Sequence, residues 1–144
     1  MARYPASARV AAARQAIEAK WEARWRAAAA AGKAGKVDEA IGALQAMVRE
    51  RPERFEAAAA LGDLLRDRER FAEAVTAYDT AVARLPAPEN RHWGLFYGRA
   101  LALERIDQWA RAESDFLRAL SLLPASDPGA RTNRGYVLNY LGYT

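Results

Sequence analysis

Residues 55–86 read FEAAAALGDLLRDRERFAEAVTAYDTAVARLP, and the rest of the chain reads as shifted copies of this stretch. Leu61-Gly62 and Leu65 lie on a first apolar-periodic segment. Ala74, Tyr78 and Ala81 lie on a second, and Pro86 closes the unit. A glycine inside a helix costs roughly 1 kcal/mol relative to alanine, so Gly62 implies close packing at that point. Ala74 and Ala81 flank Tyr78 at helical spacing, giving one face two shallow sites and one bulky knob. That face suits an antiparallel helix pair. Arg84-Leu85-Pro86 ends the pair, because proline lacks a donor and disfavours helix at the residue before it.

Leu-Gly, a small residue, an aromatic and a closing proline recur in a 34-residue helix-turn-helix repeat, and the stretch resembles the tetratricopeptide repeat family. Shifting the key positions back by 34 lands on Ala27, Ala28, Ala40, Leu44, Met47 and Pro52. Shifting them forward by 38 lands on Arg99, Ala100, Ala112, Phe116, Ala119 and Pro124. The chain therefore divides into an N-terminal helical extension (1–20), three repeats (21–54, 55–88 and 93–126) and a terminal half repeat (127–144). Four extra residues, Ala87 to Asn90, precede the third repeat. Seven helices are predicted, over about 6–31, 37–50, 54–67, 71–85, 90–105, 109–123 and 128–143. The resemblance implies that they form an all-α, right-handed superhelical solenoid.

Composition agrees with one all-α domain. The chain has 144 residues, 51% of them hydrophobic and dominated by alanine, without runs of alternating β-branched residues. No cysteine occurs, which removes disulfides, thiolate metal sites and cysteine nucleophiles. No apolar run is long enough to span a membrane, and Arg3, Arg9 and Arg14 interrupt the first twenty residues where a secretory signal would be apolar. The net charge of +4 combines 22 basic with 18 acidic residues. Their interleaving, as in Arg66 to Arg70, describes solvated helix faces rather than a basic stripe for nucleic acid.

Both ends depart from the repeat. Residues 6–31 contain neither proline nor glycine, and Val10, Ile17, Trp21 and Trp25 share one face. A helix of that length, roughly 37 Å, should overhang the first repeat and cover its apolar edge, as capping segments do. Ala27-Ala28 stands where the signature has Leu-Gly, which marks a worn terminal copy. In the third repeat Arg99 replaces the leucine and Trp93, Phe96, Tyr97 and Trp109 raise the aromatic content. Leu61, Leu65, Tyr78, Phe96, Leu103, Trp109, Phe116 and Leu120 are expected in the core, with Ala74, Ala81, Ala112 and Ala119 at helix crossings. Leu141-Gly142 repeats the signature pair just before Thr144, so the chain reads as a piece of a longer array. The apolar Tyr136, Leu138, Tyr140 and Leu141 are then a candidate self-association surface, giving a homodimer through the last helix.

Catalytic chemistry has little to work with. The one histidine, His92, reads as a surface or capping residue; no serine lies in a nucleophile turn, and the glycines are not followed by the G-K-[ST] of a phosphate loop. No metal ligand set or cofactor motif stands out, and the chain reads as a non-enzyme. The first helices of stacked repeats line a concave surface used for binding, and the family resemblance implies an extended peptide or helix of a protein partner there. The candidate groove residues are Trp25, Asp63, Arg66, Tyr97, Leu101, Arg105 and Asn139, with Ala29 beside them. The lysine and asparagine set with which some family members clamp a terminal carboxylate is not reproduced, so an internal segment is the expected ligand. The alternatives are a nucleic-acid-binding helical repeat and a purely structural spacer or self-association domain.

Overall fold

A computed structural model describes residues 6–123 together with Gly135, Asn139 and Gly142. Six α-helices follow one another: α1 (Ala6–Lys33), α2 (Val37–Glu50), α3 (Glu56–Asp67), α4 (Phe71–Arg84), α5 (Trp93–Arg105) and α6 (Trp109–Leu122), with a 3-10 turn at Asn90–His92 before α5. Among the described residues there is no strand. The predicted boundaries hold to within two residues, except that η1 (Asn90–His92) occupies the first turn expected of the fifth helix.

Each pair turns the same way. Gly35, Glu69 and Asp107 occupy one repeat position and all have positive φ, at 104°, 61° and 60°. The next amide folds back five residues, Lys36 to the Ala31 carbonyl, Arg70 to Leu65 and Gln108 to Leu103, which caps the orphan carbonyls of the first helix. Glycine supplies the left-handed conformation at no steric cost in the first turn. Glu69 and Asp107 adopt it at a cost of about 1–2 kcal/mol.

Within and between pairs, small residues set the distance. Ala74, Ala81, Ala112 and Ala119 are at most 2% exposed, as expected for crossings. Tyr78, fully buried, is a wedge between successive first helices: a Cβ on Gly62 would lie 2.7 Å from its ring, and one on Gly98 would lie 2.8 Å from its hydroxyl. At the other repeat boundary a Cβ on Gly32 would meet the Leu64 side chain at 2.7 Å, so α1 lies directly on α3. As a result α1, α3 and α5 touch in series, whereas α2, α4 and α6 make no comparable contact with one another. The first helices therefore form the inner, concave layer.

Three expectations are corrected. Trp109 stands 60% exposed and Leu120 is only partly buried. Trp109 opens α6 at the end of the described array, whereas its counterpart one repeat earlier, Phe71, lies under Arg105 of the following α5. The overhang of α1 exists, but among the described residues it covers no apolar edge. Val10 and Ile17 are 49% and 58% exposed, and the first residue of α1 held to the repeats is Glu18, which pairs with Arg51 at 2.6 Å and Arg54 at 2.7 Å. His92 is buried rather than on the surface, while the capping half of its reading holds, since its side chain accepts from the Glu89 N–H in a capping box. The seventh helix, the half repeat, and Tyr136, Leu138, Tyr140 and Leu141 lie outside the described residues. Asn139 is helical, and Gly142 is a turn residue with φ 81° whose N–H donates to the Asn139 carbonyl, unlike the helical Gly62.

Candidate functional site

Two hollows open on the concave layer of the described residues. The larger hollow, about 780 Å³, is walled by Trp25 and Ala29 of α1, Phe55, Ala59 and Asp63 at and along α3, and the α4–α5 connection from Arg84 to His92. The smaller, about 430 Å³, lies between the end of α3 and α5 and is lined by Arg66, Phe71, Leu101 and Arg105.

In the larger hollow the charges are mostly satisfied by neighbours. Arg26 pairs with Glu22 at 2.9 Å, Arg54 with Glu56 and Glu18, and Arg91 with Glu89 at 3.3 Å. Arg84 donates to the carbonyls of Val48 and Arg54. Asp63 accepts a 2.5 Å hydrogen bond from the Tyr78 hydroxyl. The protein packed around its carboxyl pushes its pKa above the ordinary value, against the pull of that hydrogen bond and of Arg66. Burial, and then the neighbouring Asp63 carboxylate, push the Tyr78 phenol far up, so it stays a donor at any working pH.

Two buried donors in the wall of this hollow have no acceptor among the described residues. The Glu89 N–H donates to His92 Nδ1 at 2.9 Å, which places the imidazole proton on Nε2, and neither His92 Nε2 nor Trp25 Nε1, both buried from solvent, has a hydrogen-bond partner among the described residues. The His92 ring meets Phe55 edge-on at 5.2 Å. Burial and the neighbouring Arg91 hold the His92 pKa below its ordinary value, so at neutral pH the ring is uncharged and Nε2 carries its proton.

A tetratricopeptide repeat profile matches residues 25–87 and again 59–131, most of the chain. The chain belongs to the tetratricopeptide repeat family. Its fold is the all-helical solenoid seen in the Yersinia enterocolitica type III secretion translocator chaperone SycD, with a TM-score of 0.70 and 20% identity over 88% of this chain and 91% of that one. A second SycD structure, of an alternative dimer, matches over 85% and 89%. MamA matches with a TM-score of 0.65 and 17% identity over 90% of this chain and 75% of that one. At these identities the likeness is one of fold. A search of curated proteins found no match.

Against this tetratricopeptide repeat frame, the candidate groove residues separate. Trp25 and Asp63 share the larger hollow, while Arg66, Leu101 and Arg105 share the smaller. Tyr97 lines neither; it packs between Trp93 at 5.7 Å and Phe116 at 6.0 Å. Arg105 is stacked over Phe71 at 4.6 Å, and Arg66 lies over Gly98. Asn139 is exposed and belongs to neither hollow among the described contacts. Sequence reasoning missed Phe55, Arg84 and His92. The signal was present in the four residues inserted after Pro86, which extend the connection over the concave side.

Proposed function

We propose that this chain is a non-catalytic module that captures an internal segment of a protein partner in the hollow between α1, α3 and the α4–α5 connection. Family membership makes it a protein-binding helical repeat. The observation that carries the finer reading is the hollow itself, about 780 Å³ on the concave side, whose wall sets Trp25, Phe55 and Ala59 among paired charged groups. Aromatic side chains in a concave site with a polar rim are the anchors that hold a peptide's side chains. With arginines paired to carboxylates around the rim, the hollow suits a peptide of little net charge and does not present the free basic stripe that nucleic acid requires. Among the described residues no helix is long and apolar enough to cross a membrane.

Photo-cross-linking tests this reading. A benzophenone side chain at Ala59 should trap one partner protein in cells, and the same group at Ala83, exposed on α4, should not. Trp25→Ala should reduce the Ala59 product about tenfold. Equal trapping from both sites, or a yield indifferent to Trp25, contradicts it.

A further inference from the structure

Four large apolar side chains stand in solvent among the described residues, and they divide between the two ends of the array: Val10 and Ile17 on α1, Trp109 and Leu117 on α6. Each pair shares one helix face, seven residues apart on α1 and eight on α6, or about 10 and 12 Å along the axis. Arg14 sits between the first two and Glu113 between the second two. Neither takes part in an ion pair among the described residues.

We propose that copies of this chain associate head to tail, the free arm of α1 in one copy seating on the outer face of α6 in the next. Residues 6–17 are exposed all round, and an isolated helix of that length is marginal in water, so the arm gains from an occupant. Its charges, Arg9 and Arg14 without a carboxylate, oppose pairing with a second arm and favour a face carrying Glu113. The outer face of α6 is a stacking face by its repeat position. One repeat earlier, Phe71 stands at the place of Trp109 and lies under Arg105, and Asp79 stands at the place of Leu117 and binds Arg99 and Arg111 from the following pair. The contact uses different surfaces on the two copies, so it does not close into a dimer and adds copies in a row.

Sedimentation velocity across a wide concentration range decides it. The wild-type chain should pass twice the 15.9 kDa of one chain without a plateau at two copies. Ile17→Glu and Trp109→Glu should each be monomeric alone, with melting temperatures unchanged because both sites are exposed. Mixed in equal amounts they should form a two-chain species and nothing larger, since each variant keeps the surface that the other lacks. A wild-type monomer at every concentration overturns the proposal and leaves the α6 face to residues 124–144 of the same chain. Undiminished association of either variant alone overturns it in favour of arm-to-arm or face-to-face pairing, and a mixture that stays monomeric overturns it as well.

Discussion

Gly42 and Gly62 are both helix-interior glycines, and intrinsic propensity assigns both the same gain of about 1 kcal/mol on replacement by alanine. Their surroundings separate them. A Cβ at Gly42 meets nothing within 4 Å, whereas one at Gly62 would lie 2.7 Å from the ring of Tyr78, which is fully buried and has nowhere to go. Chemical denaturation should therefore show Gly42→Ala stabilised by about 1 kcal/mol and Gly62→Ala destabilised by about 1–3 kcal/mol from overpacking. Stabilisation by Gly62→Ala would remove Tyr78 as the spacer between helices. His92 gives a second prediction. Burial and Arg91 lower its folded pKa, so near the ordinary value of about 6.5 the unfolded chain takes up a proton that the folded chain refuses. Stability should fall as pH drops below about 6.5 and the histidine's share of that fall should end below its folded pKa, so the slope over this window should be smaller in His92→Gln. Because the chain has one histidine, a slope identical in the wild type and in His92→Gln would contradict the burial of the ring.

At the scale of elements, Arg99 marks where the third repeat departs from its siblings. It stands at the position of Leu61, and Asp115 at that of Ala77. The guanidinium forks onto Asp115 at 2.6 and 2.8 Å and reaches Asp79 on α4 at 3.1 Å, so it ties α4, α5 and α6 together. Side-chain exposures of 14% and 8% make this a buried pair. Arg99→Leu alone should cost about 3–5 kcal/mol by stranding the Asp115 carboxylate, while Arg99→Leu with Asp115→Ala, which restores the second repeat's pairing, should recover most of it. A double variant as unstable as the single one would show that the ion pair itself, rather than the stranded charge, carries the energy. This pair was half legible: Arg99 was visible as a departure, but Asp115 reads as an ordinary surface acid until α5 and α6 are packed. Trp109 failed for a related reason. Helical spacing assigns a face, but whether that face is covered depends on the next repeat.

For the whole molecule, the repeat offsets of 34 and 38 residues placed every described helix, because the crossings need small residues and each turn needs its breakers at fixed intervals. The binding surface was less legible. Position within a first helix finds Trp25 and Asp63, but it also selects Tyr97, which a local aromatic cluster draws aside. The connection that brings Arg84 and His92 to the hollow follows no repeat rule. Its amides offer the most direct test of the proposed groove, through hydrogen exchange of the chain with and without the partner trapped from Ala59. Binding should slow exchange at residues 87–91 and along the part of α3 that includes Ala59 and Asp63, leaving the outer turns of α2 and α6 unchanged. Protection confined to α2, α4 or α6, with residues 87–91 exchanging as in the free chain, would contradict the concave site.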